Sequence, residues 1–271
     1  MIGELVALLG KTNVSDIFPI LARFDLQGIE RKAKEVMSWA DTILDSVIEE
    51  RLKMEAVQEK KRSKDDDDVG SKDYLGILLE LNKQQGDDKA ALSMKQLKAL
   101  LLDIVSAGTD TTTTTLEWAF AEMMQKPYTM RKAQEKLGQV VGMSNKVEES
   151  HISKLPYLNA VVKETLRDPD AWEGPLEFLP ERFLREKNEY DCKGNNFNYL
   201  PFGSGRRICP GIPLAERMAT YMLASLLHSF EWRLPENVEL DLSEESGLVL
   251  KKKAPLVIIP TPRLSNVELY N

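Results

Sequence analysis

Residues 202–211 read Phe-Gly-Ser-Gly-Arg-Arg-Ile-Cys-Pro-Gly and stand directly before a segment of helical apolar periodicity that ends near Ser229. Cys209 therefore precedes a helix N-terminus, where unpaired N–H groups and the positive end of the helix dipole favour a thiolate. Arg206 and Arg207 add positive charge, the leading Phe can shield the sulfur, and the glycines let the backbone approach a flat ligand. A buried, inert cysteine is the alternative interpretation, but it leaves the surrounding Phe, Gly and Arg residues unexplained.

The composition is that of a folded, acidic protein. The chain has 271 residues, with 36 Lys or Arg and 43 Asp or Glu, so its formal net charge is −7. Hydrophobic residues make up 42% of the chain, which is enough to offset the entropy of folding and excludes a wholly disordered class. The negative charge argues against nucleic acid as a partner, because phosphate binding needs a clustered excess of Lys and Arg.

The chain has few Cys and His side chains that could form a zinc site. They are Cys192, Cys209, His151 and His228. Two cysteines are too few for a disulfide scaffold, and a closed zinc site would need all four residues at spacings that match no zinc pattern. A sulfur-bound metal would therefore have one thiolate ligand and take its other ligands from a cofactor. The apolar run at the N-terminus is short and interrupted by Glu4, so we predict neither a signal peptide nor a membrane span.

A long helix is predicted between Ser93 and Pro127. It opens with a capping box of Ser93 and Gln96 and keeps an apolar period for about 33 residues, or about 50 Å. Its middle, residues 107–115, combines Gly with β-branched Thr, which are weaker helix formers than Ala by roughly 0.5 to 1 kcal/mol each. Two interpretations stay open: a loop or Thr hydroxyls bonded back to the backbone, and a distorted helix that passes over a ligand.

Other segments complete the outline. Helices are predicted over residues 29–52, 73–85 and 131–142. The charge run at residues 59–73 is predicted to be a flexible linker. Glu164 and Arg167 share one face of a further helix that ends at Asp168, because the residue before a proline avoids the helical region. As an exposed pair they would contribute only about 0.2 to 0.5 kcal/mol.

Five residues of the stretch quoted first fit, position by position, the Phe-x-x-Gly-x-Arg-x-Cys-x-Gly haem loop of the cytochrome P450 monooxygenases. They are Phe202, Gly205, Arg207, Cys209 and Gly211. Residues 107–112 resemble the oxygen-activating stretch of that family's central helix, residues 164–167 its Glu-x-x-Arg motif, and residues 180–183 the segment whose Arg completes a Glu-Arg-Arg network. Residues 172–178 are similar to plant hydroxylases of the terpenoid and phenolic class, the geraniol-hydroxylase group in particular.

The resemblance implies a mainly α fold with a small β component, in one partial domain over residues 1–271. This is the C-terminal half of a cytochrome P450 fold, with its long central helix and haem-binding loop. Haem b would be the cofactor and Cys209 the axial ligand of its iron. The other four residues of the loop motif would bind the cofactor, and Arg207 among them would pair with a haem propionate.

The resemblance also assigns roles away from the loop. Asp110 and Thr111 would be catalytic residues that deliver protons through water. Glu164, Arg167 and Arg182 would form a structural network that holds the haem loop, since a buried ion network is costly unless it is complete.

The chain departs from the family pattern in two places. It looks truncated at its N-terminus, and it looks internally deleted after Arg167, where members place several tens of residues. One wall of the haem site would be missing, so we expect weak haem retention, little turnover by the chain alone, and exposed apolar helix faces.

The resemblance predicts a haem-dependent monooxygenase that hydroxylates a small apolar plant metabolite, terpenoid or phenolic, with O2. Electrons would come from the NADPH-dependent cytochrome P450 reductase at the cytosolic face of the endoplasmic reticulum, although a chain without an anchor could be cytosolic. The rival interpretation is a catalytically silent helical fragment that binds haem loosely or contacts other proteins. Catalysis by a cysteine nucleophile is a third interpretation, disfavoured because neither histidine has the context of an adjacent base.

Overall fold

The computed structural model describes residues 2–61, 73–84, 91–184 and 190–270. Within these ranges the helices are α1 (Ile2–Leu9), α2 (Val14–Ile17), α3 (Ile29–Lys61), α4 (Tyr74–Lys83), α5 (Met94–Gln125), α6 (Pro127–Val141), α7 (Glu149–Ile152), α8 (Pro156–Thr165) and α9 (Ile212–Ser229). The strands are β1 (Phe230–Arg233), β2 (Glu244–Glu245), β3 (Lys251–Lys252) and β4 (Ile259–Pro262). The predicted mainly α class with a small β component is confirmed. No helix in these ranges combines the length and apolar character that crossing a membrane requires.

The chain divides into two compact units, Met1–Thr109 and Asp110–Asn271. The first unit is helical, and a small apolar cluster joins α3, α4 and the start of α5. Its buried members are Ile48, Leu78, Leu79 and Leu97. The helices predicted over residues 29–52 and 73–85 are confirmed as α3 and α4. The linker predicted over residues 59–73 lies mostly outside the described residues, and its first three residues belong to α3.

The second unit holds the larger apolar core, to which α5, α6, α8 and α9 contribute. Met123, Leu137, Val161 and Leu223 are completely buried there. Strand β1 pairs with β4 in antiparallel register, and β2 pairs with β3 in the same way. This unit contains every candidate site residue named above. Whether the whole chain forms a single domain stays a prediction.

Helix α5 is continuous over 32 residues, so the interpretation of residues 107–115 as a loop is wrong. The predicted capping box is present: the Gln96 side chain accepts from Ser93 N–H at 2.9 Å, and Gln96 N–H donates to Ser93 Oγ at 3.3 Å. The Thr113 and Thr115 hydroxyls donate to backbone carbonyls one turn earlier, at 3.0 and 2.9 Å. The Thr-rich stretch stays helical because the hydroxyls of Thr113 and Thr115 are satisfied within the helix and packing outweighs weak propensity.

Candidate functional site

The Cys209 loop, residues 202–211, turns tightly before α9. The Cys209 N–H donates to the Phe202 carbonyl oxygen at 3.0 Å, which closes the turn. Gly203 and Gly205 adopt φ values of 74° and 67°, a region that glycine enters without steric cost. No atom lies within 4 Å of the place where a Cβ would stand on either glycine. The loop therefore presents open space on the glycine side.

The Cys209 side chain is exposed, whereas Cys192 is buried. Phe202 is half-buried and leaves the sulfur exposed, contrary to the sequence interpretation that it shields the sulfur. A Cβ on Gly211 would lie 3.6 Å from Cys209 Sγ, and Gly211 is the N-cap of α9, where no side chain caps the helix. The sulfur thus stands beside uncapped N–H groups at the positive end of a helix.

This arrangement fits a metal held by one protein sulfur and a flat non-protein ligand. In the described part of the chain, no group of three or more His, Cys, Asp or Glu side chains could hold a metal ion. A metal on Cys209 would therefore take its remaining ligands from outside the protein, as haem iron takes them from its porphyrin. Leu214 and Met218, on the first turns of α9, are exposed and offer apolar surface to such a group.

Glu164, Arg167 and Arg182 are brought together in the interior. Arg167 Nε donates to Glu164 Oε1 at 2.7 Å, and Arg182 Nε lies 3.5 Å from the same oxygen. The Glu164 side chain is completely buried, and the two arginine side chains are only 8% and 13% exposed. Glu164 and Arg167 therefore form a buried pair in the structure, not the exposed pair considered from the sequence. Glu164 Oε2 and Arg167 Nη1 are buried without a hydrogen-bond partner among the described residues.

The network fixes one segment, residues 173–179. Arg167 Nη2 donates to the Pro175 and Glu177 carbonyls at 2.6 and 3.0 Å, and Arg182 donates to the Glu173 and Gly174 carbonyls. Leu179 N–H donates to Glu164 Oε1 at 2.9 Å. The resemblance predicts that this network holds the haem loop. The hydrogen bonds reach residues 173–179 instead, because Arg182 lies on the turn directly after that segment.

Asp110 lies on α5 beside a groove of about 470 Å³. Its side chain is 11% exposed, and Oδ1 accepts from Lys251 Nζ at 2.7 Å. Oδ2 is buried with no hydrogen-bond partner in the part of the chain that the structure describes. Thr111, the second residue predicted to be catalytic, is exposed on the same helix.

The sequence reasoning missed Lys251. Its only signal was the run of three lysines at 251–253, and nothing in that run tells which lysine reaches α5.

Comparison with known proteins gives concordant matches. A family model described as Cytochrome P450 matches residues 1–167 and 166–259. The 3,9-dihydroxypterocarpan 6A-monooxygenase of Glycine max is 36% identical over 98% of this chain and 59% of its own length. A flavonoid 3',5'-hydroxylase of Solanum melongena is 37% identical over 98% of this chain and 57% of its own length. Cytochrome P450 76A1 of the same plant is 36% identical over 96% of this chain and 62% of its own length. The chain thus spans about three fifths of the length of these relatives.

The matches also bear on the predicted internal deletion. The two segments of the family match meet at residues 166 and 167. The alignment with the Glycine max protein is 306 positions long, yet it contains 98% of a 271-residue chain, so about 40 positions hold no residue of this chain. Both findings agree with a deletion after Arg167.

Proposed function

Because this chain belongs to the cytochrome P450 family, we propose that it carries the thiolate side of a haem-dependent monooxygenase site, in which the Cys209 sulfur would hold the iron. The reaction is hydroxylation of a small apolar plant metabolite, with O2 and electrons supplied by a reductase. The observation that carries the proposal is the exposed Cys209 sulfur, which stands at an uncapped helix N-terminus beside an open glycine turn.

Haem, when bound, supplies the binding and activation of O2. The chain's own contribution begins at the Cys209 sulfur, which is exposed just before the N-terminus of α9, where no side chain caps the helix. Gly203 and Gly205 leave room for a flat group because they carry no side chain on the open face of the loop. Arg207 is exposed two residues before Cys209 and is the proposed partner of a haem propionate.

Asp110 and Thr111 are the proposed proton-delivery pair. Asp110 lines the groove and keeps one carboxylate oxygen, Oδ2, without a hydrogen-bond partner among the described residues, so that this oxygen has lone pairs available for a proton. Thr111 lies one residue further along the same helix and is the second member of the pair, which would deliver protons through water to the oxygen-binding side. Glu164, Arg167 and Arg182 do no chemistry in this proposal; their hydrogen bonds hold the backbone of residues 173–179.

The substrate class is the most specific part of the proposal. The relatives whose printed names state a substrate act on flavonoids and a pterocarpan, which supports a phenolic substrate. Arg206 and Arg207 form an exposed basic surface at the Cys209 loop, and an acidic reductase domain is the partner that such a surface fits. The cytosolic face of the endoplasmic reticulum is the proposed place of action, as for the family.

One spectrum tests the proposal. The purified chain is mixed with haem, reduced under carbon monoxide, and scanned through the Soret region. A thiolate-type red shift that disappears in Cys209→Ala and persists in Cys192→Ala supports the proposal. Haem uptake without that shift, or a shift that survives Cys209→Ala, contradicts it.

A catalytically silent fragment is the second candidate function. It is favoured by one finding, that about 40 positions of the alignment with the Glycine max relative hold no residue of this chain. In that case the same spectrum shows no stable haem uptake.

A further inference from the structure

Residues 250–256 form a strap across α5 within the second unit. At one end, the Trp118 indole N–H donates to the Leu250 carbonyl oxygen at 3.0 Å. At the other end, the Leu256 N–H donates to Glu117 Oε1 at 2.7 Å. The strap is therefore fixed to two adjacent residues of α5 by bonds on both sides of Lys251.

Lys251 reaches from the strap to the carboxylate of Asp110. The distance from Nζ to Oδ1 is 2.7 Å, and the lysine and aspartate side chains are 35% and 11% exposed. A charge-assisted hydrogen bond of this length in a partly buried setting is stronger than an exposed pair. Because the strap is bonded to α5 at both ends, the lysine is held over the aspartate by backbone as well as by charge.

This pairing decides which oxygen of Asp110 is available. Oδ1 is occupied by Lys251, and Oδ2 is buried with no hydrogen-bond partner among the described residues. Asp110 lines the groove together with Glu117, whose Oε1 is already bonded to the strap. A carboxylate held at one oxygen keeps its other oxygen in one direction, which is the orientation that proton transfer requires.

We propose that Lys251 is a positioning residue that binds Oδ1 of Asp110 and thereby orients Oδ2 for proton delivery. The inference rests on the proposed function for its purpose, since Asp110 is the proton-delivery residue there. The pairing itself rests on the geometry of the strap and is independent of haem.

The neighbouring lysines provide the control. Lys252 donates to the Asp241 carbonyl oxygen and stacks 5.2 Å from the centre of the Trp118 ring, so its loss would disturb the strap itself. Lys253 is exposed on the same segment. Lys253→Met therefore removes the same charge from the same strap and leaves the ion pair with Asp110 in place.

The test is NMR of the full chain with 13C at the side-chain carboxyl carbon of aspartate. The Asp110 resonance is identified by its loss in Asp110→Asn. In Lys251→Met it is expected to move by more than its linewidth, while Lys251→Arg, which keeps the charge and the donor, stays near the original position. Lys253→Met is expected to leave the resonance in place.

Three results would overturn the proposal: no movement in Lys251→Met, equal movement in Lys253→Met, or no recovery in Lys251→Arg. If Lys251→Met does not fold, as judged by its amide spectrum, Lys251→Gln is used instead. The carbon monoxide spectrum of the same samples is read separately. Loss of the thiolate band in the unmodified chain would count against the proposed function, whereas the aspartate resonance still decides the role of Lys251.

Discussion

The Glu164 network and the Cys209 loop lie in the same unit and carry equally recognisable family motifs, yet they differ in almost every physical respect. The Glu164 side chain is completely buried, and protein atoms bond both arginines that face it. The Cys209 side chain is exposed beside two glycines that face open space. The network's partners are thus mainly within the protein, while the loop is shaped for a partner outside it.

The difference has an energetic consequence. A buried charge that loses its partner is left in a medium that solvates it poorly, so damage to the network reduces folding stability. An exposed thiol already contacts water, so its removal changes little in the folded protein. Damage to the network should therefore be visible in unfolding experiments, and damage to the loop mainly in haem binding.

Removal of the Glu164 charge is expected to have the largest effect. Glu164→Gln leaves Arg167 and Arg182 buried without a carboxylate, which should lower the free energy of unfolding by about 3 to 5 kcal/mol. Urea denaturation followed by circular dichroism measures the change. The matched control is Glu149→Gln, which breaks a pair with Arg217 whose side chains are 73% and 71% exposed and should have little effect. Equal effects of the two variants would remove the distinction between the regions.

Alanine substitutions at two glycines compare a position packed against the Cys209 loop with a position on the loop that faces open space. Gly194 has φ 76°, and a Cβ there would lie 2.8 Å from the Gly203 carbonyl oxygen. Gly203 has a similar φ of 74°, but no atom lies within 4 Å of the place where its Cβ would stand. Both substitutions should cost about 1 to 2 kcal/mol from backbone strain. Gly194→Ala should cost about 1 to 3 kcal/mol more from overpacking.

Thermal unfolding of the two glycine variants measures which substitution lowers the stability more. A Gly203→Ala variant as unstable as Gly194→Ala would mean that the loop is packed on both sides, and the comparison would then be wrong.

The pH dependence of stability reports on another buried polar group, His228. Its side chain is completely buried, Nε2 lies 3.1 Å from the Asn145 carbonyl oxygen, and burial lowers the pKa of the imidazole. Above a pH of about 6.5 both folded and unfolded states hold the ring neutral. Below it the unfolded state binds a proton that the folded state does not, so stability falls with pH, by at most about 1.4 kcal/mol per pH unit.

Urea midpoints between pH 7.5 and 5 measure this slope. His228→Gln should reduce it, whereas His151→Gln, at a half-buried position on α7, serves as the control. An unchanged slope in His228→Gln would assign the pH dependence to other groups.

Loss of the Cys209 thiol is expected to have the smallest effect on stability. Cys209→Ser should change the free energy of unfolding by no more than about 0.5 kcal/mol in the absence of haem. Cys192 provides the contrast, because burial and the Glu216 carboxylate raise the pKa of its thiol to about 12. An aromatic disulfide reagent at pH 8 should label Cys209 quickly and Cys192 only after denaturation. Slow labelling of both thiols would show that the loop is covered.

Prediction from the sequence succeeded where the signal was local. The capping box of Ser93 and Gln96 starts α5 because those two side chains satisfy N–H groups within one turn. Where propensity and packing disagreed, the sequence left two interpretations of residues 107–115 open, and the loop interpretation is wrong because α5 is continuous there. The lysine that reaches Asp110 was not predictable, because 141 positions separate the two residues and three adjacent lysines look alike.

The sequence alone determined the family and the helical class, because spacing within a turn or a loop is local and survives without knowledge of the fold. Only the tertiary structure decided that Glu164 is buried and that Arg167 and Arg182 hold residues 173–179. It also decided that Asp110 Oδ1 accepts a hydrogen bond from Lys251. The physical reason is that burial and ion pairing depend on which distant segments meet in space, and one-dimensional spacing does not record those meetings.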